Sequence, residues 1–295
     1  MKKQLFTGSG VAIVTPMHPD GSVDFDLLGK LIEFQIKSGT EAIIICGTTG
    51  ESPTLSHDEH ISCVKFAVEK TAGRIPVIAG AGGNNTKSSA ELSIEVEQTG
   101  ADGLLLVTPY YNKTTQTGLI RHFFYIADRV NVPIILYNIP SRTGLDIKPE
   151  TYLELSKHPN ITGIKEANCN IESVAKTASL CGDEMAIYSG NDAETLPILS
   201  LGGKGVISVL ANIMPKEMHD LCKKFFDGDV AGSRKLQLDL MGLISALFIE
   251  VNPIPIKHAM NLIGYAVGEC RMPLAPMLEK NAEILKTELK RNHLL

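Results

Sequence analysis

Short runs rich in Val, Ile and Leu recur along the chain, separated by longer stretches with helical apolar periodicity. The short runs predict strands at 11–16, 42–47, 76–80, 103–108, 133–138, 161–165, 185–189 and 205–209. Successive runs lie roughly 20–33 residues apart, about one strand–loop–helix unit each. The intervening stretches carry periodic apolar positions such as Leu27, Leu28, Leu31 and Ile32, or Leu92, Ile94 and Val96. Ser56, followed three residues later by Glu59, fits a capping box that opens the helix after the second strand. Near-continuously apolar strands joined by helices imply a parallel sheet covered on both faces. Eight such units make the count of an α/β (β/α)₈ TIM barrel, a fold that needs about 250 residues. An open doubly wound sheet is the alternative, but the glycine fingerprint expected after its first strand is absent. Beyond residue 226 the pattern stays helical with no further strand. The expectation is therefore a barrel over 1–226 carrying the chemistry, with a helical extension over 227–295 packed on it. No low-complexity linker separates the two, so they are read as one structural domain.

Composition narrows the class without naming a chemistry. The 295 residues are 44% hydrophobic and 21% charged, ordinary for a globular protein. A net charge of −5 supplies no overall pull toward nucleic acid or an anionic membrane. The basic stretch from Lys286 to Arg291 is interrupted by Glu288 and reads as a solvated helix end. Six cysteines, at 46, 63, 169, 181, 222 and 270, form no Cys-x-x-Cys pair. Scattered thiols point to a reducing compartment, hence a cytoplasmic protein, rather than a disulfide frame or zinc site. Met1-Lys2-Lys3 imitates the start of a secretory signal, but Gly8, Gly10 and Pro16 break the apolar stretch that follows. No apolar run approaches the roughly 20 residues that span a bilayer.

Lys165 changes the picture. It stands near the end of the apolar run Ile161-Thr162-Gly163-Ile164-Lys165-Glu166, where a charged amine is out of place unless paired or kept neutral for chemistry. Alternation places Ile161, Gly163 and Lys165 on one face, with Gly163 leaving space below the amine. Burial lowers an amine pKa from its usual value of roughly 10.4, which makes a nucleophile able to form an imine with a carbonyl substrate. A lysine snorkelling past the strand end, or paired with a carboxylate, is the structural alternative.

Five strand ends carry polar residues toward what would be one mouth. They are Gly47-Thr48-Thr49-Gly50-Glu51, Thr108-Pro109-Tyr110-Tyr111, Tyr137 through Gly144, Lys165-Glu166 and Ser189-Gly190-Asn191-Asp192. Tyr137 shares a face with Ile135, points inward as Lys165 does, and can shuttle protons for an imine-forming amine. Thr48 and Thr49 offer hydroxyls and backbone N–H groups to a small carboxylate, unless they serve only as turn residues. Arg142, in the loop after Pro140, can grip a carboxylate with its guanidinium, though a solvated loop arginine is the ordinary case. Gly80-Ala81-Gly82-Gly83-Asn84-Asn85 lacks the third glycine of a dinucleotide loop, and no phosphate-binding Gly-x-x-x-x-Gly-Lys-Ser/Thr stretch exists. His57 and His60 have helical spacing for a metal, but Asp58 and Glu59 are more simply helix-start acids.

Taken together, Gly47 to Ser52, Val107 to Tyr111, Tyr137 to Gly144 and Gly163 to Ala167 resemble the dihydrodipicolinate synthases, within the pyruvate-dependent class I aldolases. The similarity runs in order from about Phe6 to the C-terminus. Arg142 after Tyr-Asn-Ile-Pro-Ser is the selective piece, because sialic acid lyases generally carry other residues there. The resemblance implies a lyase of lysine and diaminopimelate biosynthesis that condenses pyruvate with L-aspartate-4-semialdehyde. It makes Lys165 the imine-forming residue, Tyr137, Thr48 and Tyr111 a proton relay, and Thr48 and Thr49 the holders of the pyruvate carboxylate. Gly190 and Ile207 would line the pocket, and Arg142 would receive the carboxylate of the second substrate. Family members take the tyrosine at position 111 from a neighbouring subunit and assemble as a homotetramer, a dimer of dimers. Neither a metal nor an organic cofactor is implied, since the protonated imine is the electron sink.

The same resemblance places a regulatory lysine pocket at Ser52, Pro53, His57, His60, Asn84, Ser88 and Tyr110. Relatives inhibited by lysine carry an acid where this chain has Ser88, and a small alanine-like residue where it has Pro53. Losing that charge-assisted contact removes about 1.5–3 kcal/mol, so weak or absent inhibition is expected. Two other readings stay open on the residues: a different pyruvate-type aldolase, such as a sugar-acid aldolase, and a non-catalytic barrel that senses keto acids. Arg142 speaks against the first, and the presence of a proton relay against the second.

Overall fold

The computed structural model describes Lys2 and residues 4–295. Eight parallel strands close into a barrel in sequence order: β1 Gly8–Ala12, β2 Ala42–Ile45, β3 Val77–Gly80, β4 Gly103–Val107, β5 Ile134–Asn138, β6 Ile161–Glu166, β7 Ala186–Ser189 and β8 Gly205–Ser208. Helices alternate with them, and the chain ends in helices Val230–Asp239, Met241–Leu247, Ile254–Leu262 and Glu279–Arg291. Every strand predicted from the apolar runs is present, so the barrel rather than the open sheet is the fold.

Two layers of apolar packing account for the closure. Val11, Ile43, Ile45, Leu104, Ile134 and Ile164 face the surrounding helices in one large cluster. Ala12, Ile44, Ile78, Leu105, Ile135 and Ile207 point the other way and fill the barrel. This is the alternation of a strand with both faces buried. At the floor of the barrel, Phe6 stacks on Tyr188 with ring centroids 4.3 Å apart, and the Tyr188 hydroxyl donates to the Phe6 carbonyl at 2.7 Å. The Ser56 capping box forms as expected: Glu59 N–H donates to Ser56 Oγ at 3.2 Å, and Ser56 N–H to Glu59 Oε2 at 2.8 Å.

Two expectations need correction. The first strand covers Gly8–Ala12 rather than 11–16. Its opening residues, Gly8-Ser9-Gly10, have low strand propensity, but they are required where β1 meets β8. Gly8 pairs with Gly205, and a Cβ on Gly205 would lie 1.8 Å from the Gly8 carbonyl oxygen. After Ala12 the backbone leaves the β1–β8 ladder, and Val14 N–H donates instead to Asn212 Oδ1 at 3.1 Å. The second correction concerns β6. Ile134 pairs with Ile161 but Ile135 with Gly163, so Thr162 is an extra residue in the ladder. Ile161 therefore packs among the outer residues with Ile164, not on the face of Lys165.

Lys2 donates its ammonium to the carbonyls of His158 and Ile161 at 2.8 and 2.9 Å, while Met1 and Lys3 of the signal-like start lie outside the described residues. All six cysteines are unpaired. No helix among the described residues is long and apolar enough to cross a membrane.

Candidate active site

Lys165 is 5% exposed and sits in β6 between Tyr137 on β5 and Tyr188 on β7, its register partners. Its Nζ lies over the Tyr137 ring, 4.2 Å from the centroid. Loss of hydration on burial lowers the amine to about 7; the Asp192 charge opposes the fall and the Arg142 charge assists it. Tyr137 is equally buried, and burial pushes its phenol up to about 12, against the pull of the Arg142 charge and the Thr48 hydroxyl. One dry environment thus favours the uncharged form of both groups, a free amine beside an intact phenol.

Around this pair the loop after β7 closes tightly. Gly190 N–H donates to the Glu166 carbonyl at 2.7 Å, and a Cβ there would meet Ala167 Cβ at 2.9 Å and Lys165 Cγ at 3.1 Å, so only glycine fits. Ile207 is buried inside the barrel with Tyr137 and Tyr188. Asp192 is fully buried, its Oδ2 accepting the N–H groups of Val209 and Leu210 at 3.1 Å each. That carboxylate ties the β7 exit to the β8 exit and is the closest thing to a counter-charge that Lys165 has.

The loop after β2 is pinned from a distance. Thr49 is buried and its Oγ1 accepts Asn252 Nδ2 at 3.0 Å, while the Asn252 carbonyl accepts the Arg142 guanidinium at 2.8 Å. Glu51 and Lys257 form an ion pair at 2.9 Å with side chains only 1% and 2% exposed. Lys257 also donates to the Glu269 carbonyl at 2.7 Å, and Glu51 Oε2 accepts the Arg271 N–H at 2.8 Å. Breaking such a buried pair costs about 3–5 kcal/mol. The helical extension is thus more than a cover on the barrel. It fixes the loop of Thr48 and Thr49 and sets the guanidinium of Arg142.

A cavity of about 440 Å³ opens beside this pair and is lined by Thr48, Tyr137 and Arg142, whereas Lys165, Thr49, Gly190 and Ile207 are not among its lining residues. Ser52, Pro53, His60, Leu92 and Tyr110 line the same cavity, so residues expected in two separate sites share one hollow in the chain. Tyr111 borders it too but is 91% exposed, on backbone with φ +69°. Of the other residues expected in the regulatory pocket, His57 binds Glu95 at 2.8 Å and Asn84 offers its carbonyl to Asn112 at 2.9 Å, both away from the cavity lining. His60 is buried with Nε2 at 2.8 Å from the Gly80 carbonyl, and burial lowers its pKa. Asn252 and Lys257 escaped the sequence reading, because nothing local marks a polar residue as the partner of one some 200 positions away; Asp192 was read only as the end of a polar strand exit.

A sequence model of the Dihydrodipicolinate synthetase family matches residues 5–292. The chain belongs to that family. A 4-hydroxy-tetrahydrodipicolinate synthase of Caldicellulosiruptor bescii is 57% identical over 285 residues, covering 97% of this chain and 96% of the relative. The crystal structure of the dihydrodipicolinate synthase of Thermotoga maritima superposes with a TM-score of 0.97 at 44% identity, over 99% of this chain and 100% of that one. The chloride-inhibited family member of Acinetobacter baumannii, solved with pyruvate, gives 0.96 at 42% identity over 98% and 100%.

Proposed function

We propose that the chain condenses pyruvate with L-aspartate-4-semialdehyde through an imine on Lys165, giving 4-hydroxy-tetrahydrodipicolinate for lysine and diaminopimelate biosynthesis. The observation that carries this reading is the amine of Lys165, stripped of water, lowered to about 7 and held 4.2 Å over the Tyr137 ring. The neutral amine adds to the keto carbon of pyruvate, and water leaves as the protonated imine forms. The imine loses a methyl proton to give an enamine, whose carbon attacks the aldehyde. The amine of the second substrate then adds to the imine carbon, closing the ring and expelling Lys165.

Tyr137 passes protons through these steps, with Thr48 beside it and Tyr111 as the outer member of the relay. Thr48 and Thr49 hold the pyruvate carboxylate, and Gly190 and Ile207 shape the space next to the imine. Arg142, anchored by the Asn252 carbonyl, takes the carboxylate of the semialdehyde. A Tyr111 that is 91% exposed in one chain fits a residue completed by a neighbouring copy, so we take the dimer as the working unit and a dimer of dimers as the assembly. The unpaired, scattered cysteines support a cytoplasmic setting.

Borohydride reduction in the presence of pyruvate tests the reading. It should leave a reduced pyruvate adduct on the peptide containing Lys165, and Lys165→Met should form no adduct and lose at least about 10⁴-fold in kcat. An unmodified Lys165 peptide, or native turnover by the variant, would overturn the assignment.

A further inference from the structure

Behind Lys165 and Tyr137, on the opposite face of the sheet, lies a second cross-strand pair. Asn138 and Glu166 are the next register partners along β5 and β6. Glu166 is 3% exposed, and three separate segments aim donors at its carboxylate. Asn138 Nδ2 lies at 3.0 and 3.2 Å from the two oxygens, the Tyr152 hydroxyl of helix Pro149–Leu155 at 3.0 Å, and Asn168 N–H at 2.9 Å. Asn138 is itself held, donating to Asp146 Oδ1 at 2.8 Å and accepting Ile147 N–H at 3.1 Å. The Glu166 backbone carbonyl meanwhile receives Gly190 N–H, so this one residue touches β5, β7 and the helix outside.

The ladder gives such a latch a task. Between Ile134 and Ile135 the β5–β6 register slips by one residue. The pairing of Tyr137 with Lys165 is therefore not inherited from the foot of the barrel, and a slip of one residue turns every side chain to the other face. The Asn138–Glu166 contact closes the short ladder above the slip at its upper end, one residue from the pair of Tyr137 and Lys165. We propose that Glu166 is a positioning residue for imine formation: its carboxylate, gripped by Asn138, Tyr152 and Asn168, holds β5 and β6 so that the Lys165 amine stays over Tyr137. The proposal rests on Lys165 as the imine-forming residue and goes beyond it.

Burial pushes the Glu166 carboxyl up to about 7, against the donors of Asn138, Tyr152 and Asn168, with Asp146 adding to the rise. The other titratable groups whose charge it feels or affects are Tyr137, Tyr152 and Cys169. Protonation would turn one acceptor oxygen into a donor facing donors, so the latch loosens in acid.

Glu166→Gln, which keeps the size but sets an NH₂ among converging donors, tests the idea in the full-length enzyme. The expected result is a fall of about 10–100-fold in kcat/KM for pyruvate at pH 8, with borohydride trapping slowed in parallel. The acid limb of that kcat/KM should flatten from a slope approaching two to a slope of one, a change that mere loss of stability does not produce. Tyr152→Phe removes one donor and should give a loss of about 3–10-fold in kcat/KM and trapping rate with its thermal midpoint nearly native. Native kcat/KM and an unchanged acid limb in Glu166→Gln would overturn the proposal. If that variant does not fold, native kcat/KM and trapping rate in Tyr152→Phe overturn it instead. Absence of any adduct in the unaltered enzyme would strike at Lys165 itself, a distinguishable failure.

Discussion

Tyr137 and Tyr111 border the same cavity, yet the first is 5% exposed and the second 91%. On the β5–β6 side the chain surrounds Lys165 and Tyr137 with dry packing, a paired ladder and the buried Asn138–Glu166 contact. At the β4 exit it supplies a ring on left-handed backbone, a conformation costing of order 1–3 kcal/mol, with most of the side chain in solvent. On the proposed reading, the covalent step is built into one chain, whereas the outer end of the proton path is left for something else to complete. The two halves should respond differently to perturbation.

The buried half should break hardest. Tyr137→Phe keeps the ring under the amine but removes the hydroxyl, and kcat should fall about 10²–10⁴-fold while the KM for pyruvate moves little. Steady-state kinetics over a pyruvate titration separate the two parameters. A kcat within a few-fold of native would remove Tyr137 from the proton path. Acid should silence the same half. Because burial brings Lys165 to about 7, the amine is ammonium below that pH and nucleophilic above it. Activity is therefore lost as pH falls. The kcat/KM for pyruvate should drop at least about tenfold for each unit below 7 and level off above 8. A rate that keeps climbing about tenfold per unit from pH 8 to 9 would mean that burial does not tune the amine.

The exposed half should fail more gently. Tyr111→Phe is expected to cost about tenfold in kcat, while borohydride still traps the adduct on Lys165. If Tyr111 acts across a subunit interface, dilution to dissociated chains should reproduce that loss in the native enzyme, as read by activity beside sedimentation. Full activity in the variant would end the relay assignment.

How far the two halves could be read beforehand follows from the range of their interactions. Lys165 and Tyr137 announced themselves because alternation and strand spacing act over a few residues, and adjacent strands in a barrel must pair. The bulge at Thr162 did not, since a β-branched residue looks the same inside a ladder as beside one. It misled the facing of Ile161 while leaving that of Lys165 correct. The start of β1 was hidden by Gly8-Ser9-Gly10, whose use is steric fit against β8 rather than propensity. Asn252, which links Thr49 to Arg142, and Lys257, which neutralises Glu51, reach the mouth from the helical extension. No pattern in the local sequence points there.

The gentlest prediction concerns the same exposed half. Its share of the cavity is lined by Ser52, Pro53, His60, Leu92 and Tyr110, and Arg142 is the only charged residue around the whole hollow among the described residues. Burial keeps His60 neutral near pH 7, and Ser88 is exposed, with its N–H spent on the Asn85 helix cap at 3.3 Å. A bound lysine would bring an ammonium group to walls that offer it no carboxylate. The missing charge-assisted bond corresponds to about 1.5–3 kcal/mol, or roughly 10–150-fold in affinity. Free lysine at about 1 mM should therefore change the initial rate by less than about twofold. Ser88→Glu, on the exposed first turn of its helix where an acid also suits the dipole, should introduce measurable inhibition without altering kcat. Half-inhibition of the unaltered enzyme below 1 mM would show that the cavity holds the ammonium by carbonyls and aromatic faces alone.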